Sequence, residues 1–353
     1  MERRYFCLTA LLALVYLATG CKFGDDLLPS DTGNGEKKQE KASGLNSENE
    51  VQKEVKRMSE VAVVVTGDRE QGVFQSLKIC GLDVKDKNVL IKPNFNTADP
   101  APGSTHNDTL RALIKWLRQN KASRLTIGER SGPPLTSDVM QEKNIFELAT
   151  ELGVDIINFD ELGKNEFVHF NREGFHWKDG FLIPRIVKEA EVLVQTCCLK
   201  THAFGGIFTM ALKLAVGMVP RRGYTYMSEL HNSQHIRKMI AEINAAFVPE
   251  LTVMDGVEAF VDGGPGVGTR KRANIFLASR DRVALDAVGV AMLKKLGSNR
   301  DIMETPVFAQ EQISRAAELG LGAASPAEIK LVAAKGDESR KCAEILKEIL
   351  DRG

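Results

Sequence analysis

Short apolar runs that alternate with helical segments constrain the fold of this chain more than any other feature. Val61–Thr66, Asn88–Lys92 and Arg124–Gly128 are compact, largely apolar runs, typical of buried parallel strands. Between and after them, residues 109–120 and 137–152 have apolar side chains at helical spacing. This alternation predicts an α/β fold, with a mostly parallel sheet, helices on both faces and right-handed crossovers.

Residues 167–183 interrupt this pattern. Phe167–Phe170 and Phe175–Trp177 flank a polar turn that contains glycine, which predicts a β-hairpin insertion. The glycine-rich residues 263–268 do not lie between a strand and a helix, so they predict a simple mobile turn and not a dinucleotide-binding loop. The remaining predicted strands are Val192–Thr196, Leu251–Asp255, Ile275–Ala278 and Ile329–Ala333.

The first 21 residues resemble a signal peptide with a lipobox-like end. Arg3 and Arg4 precede the apolar run Tyr5–Thr19, which is too short to span a bilayer comfortably. The run leads into Leu17-Ala18-Thr19-Gly20-Cys21, so we expect lipidation at Cys21, with diacylglycerol on its thiol and palmitate as an acyl group. An ordinary cleaved signal and an uncleaved anchor are the alternatives. The arginine pair also resembles a twin-arginine signal, which leaves the export route open.

Composition predicts the organisation of the rest of the chain. Residues 22–58 are polar and lack apolar periodicity, which indicates a flexible tether. Residues 59–353 are long enough for a single α/β domain or for two closely packed subdomains. We therefore expect a protein of the cell envelope, held by a lipid anchor on a membrane surface that faces the periplasm or the exterior. Neither the leaflet nor the oligomeric state follows from the sequence.

Charge and cysteine usage exclude two classes of function. The 47 basic and 47 acidic residues balance, and no basic tract is interleaved with aromatic residues, so nucleic acid is not an expected partner. The chain contains no Cys-x-x-Cys pair, which argues against an iron–sulfur cluster. Apart from Cys7 and Cys21, the cysteines are expected to be simple core residues.

Polar clusters follow four of the predicted strands. Because the carboxyl ends of parallel strands share one edge of a sheet, we expect these clusters to meet in one cleft, where ligands of open α/β sheets bind. The clusters comprise Lys92, Asn94 and Asn96 after the second strand, Glu129 after the third, Lys200 and His202 after Thr196, and Asp255 and Glu258 after the next.

The pair Gly205-Gly206 precedes the run Ile207–Val219, which predicts free backbone N–H groups at the start of a helix. Such a helix start favours an anion, and Lys200 and Lys213 would add positive charge. An ammonium inside an apolar run is costly unless it opens onto a cavity or finds a partner. The alternative for Lys213 is that its stem simply reaches solvent.

Histidines are the candidate metal ligands. His231 and His235 are four residues apart, a spacing that can place both on one helix face, and His202 could complete a site with His231. His106, in a proline-rich loop before a helix, is a further candidate. The alternative is that these histidines are exposed or only support other ligands.

Several motifs in this order resemble the uncharacterised bacterial and archaeal family called domain of unknown function 362. The resemblance covers about residues 61–300 and implies an α/β domain, sometimes joined to ferredoxin modules, with no settled activity. This chain has no ferredoxin cysteine pattern, and Leu214 stands where the family leads us to expect Asn. The motifs are Val89-Leu90-Ile91-Lys92-Pro93-Asn94, Leu199-Lys200-Thr201-His202, Ala211-Leu212-Lys213, Leu230-His231, Val253-Met254-Asp255-Gly256 and Ser279–Asp286.

A fainter likeness is to nickel-dependent lactate racemases. It covers fewer than twenty residues, at His202, Phe204, Gly205-Gly206 and Lys213. In that family the lysine tethers a nickel pincer cofactor, so the likeness is an analogy for a metal-containing cofactor at this place.

These observations lead to one functional hypothesis and two rivals. The chain is expected to be an envelope-tethered α/β protein that binds a small anionic ligand, as a metal-dependent enzyme whose reaction type, isomerase or redox, stays open. The rivals are a non-catalytic lipoprotein that captures a metal or cofactor, and a structural envelope protein. The expected catalytic residues are His202, Lys213, Asp255 and Glu258; the ligand-binding residues Lys92, Asn94, Asn96, Lys200, Gly205 and Gly206; the metal ligands His202 and His231.

Overall fold

The computed structural model describes residues 58–353, which group together as one compact unit. The expected signal peptide, the lipidation site Cys21 and nearly all of the expected tether lie outside these residues. Within the described part of the chain, no helix combines the length and the apolar character needed to cross a membrane.

A nine-stranded sheet forms the centre of the fold, with the order β11-β1-β10-β9-β7-β2-β3-β4 and the short β8 beside β7. Neighbouring strands are parallel except β10, which is antiparallel to both of its neighbours, and β8. The mostly parallel sheet is confirmed. Its strands are β1 (Ser59–Val65), β2 (Val89–Lys92), β3 (Leu125–Glu129), β4 (Asp155–Asn158), β7 (Val192–His202), β8 (Ile207–Phe208), β9 (Leu251–Gly263), β10 (Gly268–Ser279) and β11 (Ile329–Ala333).

Helices cover both faces of this sheet, as expected. Successive residues of a strand point to opposite faces, so Val61 and Val63 of β1 pack into one apolar core while Ala62 and Val64 pack into another. The first core includes α8, α10 and α11, and the second includes α1 to α4. The helices are α1 (Arg69–Cys80), α2 (Asn107–Gln119), α3 (Thr136–Glu142), α4 (Ile145–Leu152), α5 (Arg185–Lys188), α6 (Tyr226–Asn232), α7 (Ile236–Ile243), α8 (Arg282–Leu296), α9 (Arg300–Glu304), α10 (Glu311–Glu318) and α11 (Asp337–Arg352).

The expected hairpin insertion is confirmed as a separate two-stranded sheet of β5 (Phe167–Phe170) and β6 (Phe181–Pro184). Its second strand lies further along the chain than Phe175–Trp177. The helix expected over 137–152 is two helices, because Asn144 adopts a left-handed conformation with φ of 54° between them. Such a residue interrupts helical hydrogen bonding.

Two strands run further than their apolar segments predict. β7 continues past Thr196 to His202 because this extension pairs with β9 and then with β8. β9 continues past Asp255 to Gly263 because this extension pairs mainly with β10. β10 returns from β9 through the tight turn 264–267, and a turn this short joins only antiparallel strands. The strand expected at Ile275–Ala278 is therefore antiparallel to its neighbours.

Candidate functional site

An inner recess of about 60 Å³ lies at the carboxyl ends of β2, β3 and β7 and is covered by a 3₁₀ helix, Leu212–Met218. It is large enough for roughly two waters or one oxyanion group. The recess brings together six of the predicted site residues, along with Glu129. Its polar and charged lining consists of Lys92, Asn94, Asn96, Glu129, Arg130, Lys200, His202, Thr209 and Lys213.

One pair of opposite charges in the recess neutralises itself. The ammonium of Lys92 donates to the carboxylate of Glu129, and both side chains are almost fully buried. The carboxylate also accepts the backbone N–H groups of Phe95 and Arg130, each at 2.8 Å. Glu129 therefore has no remaining charge to offer the other cations of the recess.

Three further cations have no carboxylate partner within residues 58–353. Arg130 donates to backbone carbonyl oxygens and to one Met sulfur, and its Nε is buried without a partner. Lys200 donates to the carbonyl of Gly103. Lys213 forms neither a hydrogen bond nor an ion pair in the described part of the chain. The recess thus carries an excess of positive charge in a poorly solvated place, where electrostatic interactions are strong.

The environment of the recess strongly perturbs the amine of Lys213. Burial, followed by the charges of Lys200 and Arg130, lowers the pKa of Lys213 from 10.5 to about 8. Its side chain still faces the cavity, since it lines both the recess and the larger pocket outside it. An amine with this pKa exists partly in its neutral form near neutral pH, and a bound anion would restore its charge.

His202 is neutral in this environment. Burial, with the charges of Lys213 and Lys200, lowers the pKa of His202 from 6.5 to about 2. Its Nδ1 accepts the backbone N–H of Phe204 at 3.1 Å, so the one proton of the neutral ring is on Nε2. A Cβ on Gly206 would lie 3.1 Å from Nδ1 and 3.2 Å from Cε of Lys213, so the absence of a side chain there permits their close approach.

The expected anion site at a helix start after Gly205-Gly206 is not formed. Residues 207–208 form β8, and the 3₁₀ helix begins only at Leu212. The N–H groups of Ala211 and Leu212 donate to the carboxylate of Asp286 in α8, at 2.7 and 3.0 Å. Burial raises the pKa of Asp286 to about 7. Asp286 therefore positions the segment that carries Lys213.

The histidines do not assemble a metal site. His231 is exposed at the end of α6 and donates from Nδ1 to a backbone carbonyl one turn earlier, at 2.6 Å. His235 precedes α7 and packs against His176, with ring centroids 4.4 Å apart. Within residues 58–353, no group of three potential ligands could hold a metal ion. His202 presents N–H at Nε2 among cations, so a bare divalent cation does not fit this donor set.

His106 also has a structural role. Its Nδ1 accepts the N–H of Asp108 at 3.1 Å and so caps the start of α2. Asp108 itself occupies the first turn of the helix.

Asp255 and Glu258 lie apart from the recess. Asp255 accepts from Arg69 at 2.9 Å and from Thr109 at 2.6 Å. Glu258 is partly exposed and lies 3.9 Å from Arg270. Neither carboxylate lines the recess or the larger pocket, so the structure separates both from His202 and Lys213.

An outer pocket of about 810 Å³ lies over the recess. The two cavities adjoin each other, since they share seven lining residues: Asn96, Arg130, Gly132, His202, Lys213, Val216 and Pro265. The turn 264–267 forms part of the pocket wall, a role that its glycines alone did not indicate. Sequence reasoning also gave no role to Arg221, which lines the pocket and pairs with Asp160 at 3.0 Å.

The family described as a domain of unknown function (DUF362) matches residues 89–291, which include every residue that lines the recess. The chain belongs to this family. A thylakoid-associated protein of Synechocystis sp. is 26% identical over 208 residues, which are 57% of this chain and 61% of that protein. This chain therefore spans less than two thirds of that relative.

Among solved structures, the lactate racemase apoprotein of Thermoanaerobacterium thermosaccharolyticum is similar with a TM-score of 0.43 and 16% identity. The superposition covers 66% of this chain and 57% of the racemase chain. Similarity of this extent carries no argument about a reaction or a cofactor.

Proposed function

We propose that this DUF362 protein binds a small anionic ligand in the inner recess. The observation that carries the proposal is the set of three buried or half-buried cations, Arg130, Lys200 and Lys213, that have no carboxylate partner in the described chain. A buried charge is costly unless it is paired, and an anion in the recess would supply the missing pairing. The amides of Asn94 and Asn96 line the same recess and offer neutral hydrogen bonds.

The recess favours an anion over a bare metal ion. The one carboxylate that lines it among residues 58–353 is occupied by Lys92, and its imidazole presents a proton and not a lone pair. A metal-containing cofactor with an anionic group satisfies the same charge requirement, and it stays a prediction from the sequence. Arg130, Lys200 and Lys213 are the residues that would hold its anionic group.

Two versions of this function differ in the fate of the bound ligand. In the first, the protein is an enzyme in which Lys213 exchanges a proton with the ligand, and the Nε2–H of His202 donates a hydrogen bond to it. The pKa of Lys213, lowered to about 8, supports this version, because general acid–base catalysis is most efficient with a group that titrates near the working pH. In the second version, the protein captures an anionic cofactor for delivery without turnover.

The cell envelope is the proposed location. The lipobox-like residues before Cys21 support it, and so does the thylakoid association of the Synechocystis relative, since a thylakoid is a membrane system. Replacement of Cys21 by Ala should abolish metabolic labelling with a radioactive fatty acid and leave an unprocessed precursor. Unchanged labelling of the variant would disprove lipidation at this residue.

Titration calorimetry of the purified full chain with inorganic phosphate and with sulfate tests the central proposal. We expect saturable one-to-one binding, lost in Lys213→Met and in Arg130→Met and unchanged in Lys341→Met, which alters an exposed lysine of α11. Equal binding by the Lys213 and Lys341 variants would contradict it. Metal analysis and absorption spectroscopy of the native protein, followed by turnover screening, separate the enzyme from the carrier.

A further inference from the structure

The outer pocket differs from the recess in the chemistry of its walls. Apolar side chains and prolines dominate it, at Pro133, Phe204, Val216, Met227, Pro265 and Val267. Its volume of about 810 Å³ lies in the range of cavities that enclose a drug-sized organic molecule. Inorganic phosphate or sulfate would occupy only the recess and leave this space to water.

Two of the apolar side chains at the pocket are unusually exposed. Phe204 is 71% exposed and Val267 is 86% exposed. They come from different elements, the segment after β7 and the turn between β9 and β10, and both line the same cavity. Large apolar residues that line a common cavity next to polar anchoring groups are typical of ligand-binding sites.

The charged residues of the outer pocket all have the same sign. Arg130, Lys213 and Arg221 line it, and no aspartate or glutamate does so within the described chain. The pocket therefore offers no counter-charge for an amine on the ligand. It therefore suits a ligand whose apolar part lies in the pocket and whose only charged group points towards the recess.

We infer that the ligand is an amphiphilic anion: a phosphate or carboxylate head in the recess, carried on an apolar body that fills the outer pocket. This inference rests on the proposed anion site and names the class of ligand that the site takes. The adjoining position of the two cavities, which share Asn96, His202 and Lys213 as lining residues, supports it, since a single molecule of this kind would extend from one into the other. Phe204 and Val267 would contact the apolar body, and Arg130, Lys200 and Lys213 the head.

Calorimetry with matched probes tests this inference on the full chain, below the micelle concentration of each amphiphile. We expect octyl phosphate to bind one-to-one and about 100-fold more tightly than inorganic phosphate, which corresponds to about 2.8 kcal/mol. Octanol should bind far more weakly than octyl phosphate because it lacks the charge. Octanoate tests whether the recess binds a carboxylate head as tightly as a phosphate head. The amphiphile with the higher affinity identifies the preferred head group.

Surface variants locate the apolar body. The double change Phe204→Ser and Val267→Ser should lower the affinity for octyl phosphate at least tenfold. The affinity for inorganic phosphate should stay within twofold of the wild-type value. Val248→Ser is the matched control, because Val248 is 84% exposed and does not line the pocket; it should change neither affinity.

The outcomes separate this inference from the proposed function. Equal affinities for octyl phosphate and inorganic phosphate would overturn the amphiphilic ligand and leave the anion site standing. Octanol binding as tightly as octyl phosphate would overturn the link between the two cavities. Failure of every anion to bind would overturn the anion site itself.

Discussion

Replacement of Lys213 by Met should make the unliganded protein more stable while it removes anion binding. The wild-type ammonium has no hydrogen-bond partner and no counter-charge among residues 58–353. The pKa of Lys213 lies at about 8 in the folded protein against 10.5 for an unperturbed lysine. A difference of this size corresponds to about 3 kcal/mol of destabilisation at pH 7. Met is a close match to the lysine stem in length and carries no charge.

The expected gain in free energy of unfolding is about 1–3 kcal/mol. It can be smaller than the pKa difference implies, since contact with water in the cavity reduces the cost of the charge. For a domain of this size it corresponds to a rise of roughly 2–6 °C in melting temperature. Urea denaturation at pH 7 measures it directly, with Lys341→Met as the control for loss of an exposed lysine.

The pH dependence provides a stricter test. The unfolded chain keeps the proton of Lys213 up to about its ordinary pKa of 10.5, whereas the folded protein releases it near 8. Between these values the unfolded state binds more protons, so wild-type stability rises with pH relative to the variant. The gain in free energy of unfolding of Lys213→Met over the wild type should therefore be largest below pH 8 and decrease as the pH approaches 10. A constant difference, or no gain at pH 7, would refute an uncompensated charge at this position.

Three other perturbations have defined outcomes. Glu129→Gln should lower the free energy of unfolding by about 3–5 kcal/mol in urea titrations, because it leaves Lys92 buried without its partner; Asp155→Asn, at an exposed ion pair, should change it by less than about 1 kcal/mol. Gly206→Ala should weaken phosphate binding at least tenfold in calorimetry with little change in melting temperature, and unchanged affinity would show that His202 and Lys213 need not lie so close. Sulfate affinity should fall as the pH rises above about 8, because Lys213 then loses its charge; an affinity that is flat from pH 7 to 9 would exclude Lys213 from the site.

The layers of the fold follow from local patterns, whereas strand direction does not. The apolar run of β1 and the helical spacing of α2 each lie within one short continuous segment, so both elements could be predicted. β10 has the same kind of apolar run, and nothing within Ile275–Ala278 shows that it runs antiparallel. The signal that could have shown it was the compact turn 264–267, whose shortness excludes a parallel crossover.

The candidate site was predictable where it depends on the ends of strands and not where it depends on long-range contacts. Lys92 and Lys200 reach the recess because their strands are parallel neighbours in the sheet. Asp255 belongs to the same edge, yet Arg69 and Thr109 hold its carboxylate away from the recess. The support of Lys213 by Asp286 joins segments far apart in the chain, which no local pattern reveals.

The hairpin of β9 and β10 offers a simple way to change the size of the outer pocket. The hairpin carries the turn 264–267 into the pocket wall, while Val253 and Ala278 hold its base in the sheet. Side chains alternate along each strand with a period of two, so two residues added to both arms would raise the wall and preserve every pairing below it. A single added residue would reverse the faces or force a bulge. Insertions or deletions of one residue pair per arm would thus lengthen or shorten the pocket in defined steps, while the cations at its base stay in place.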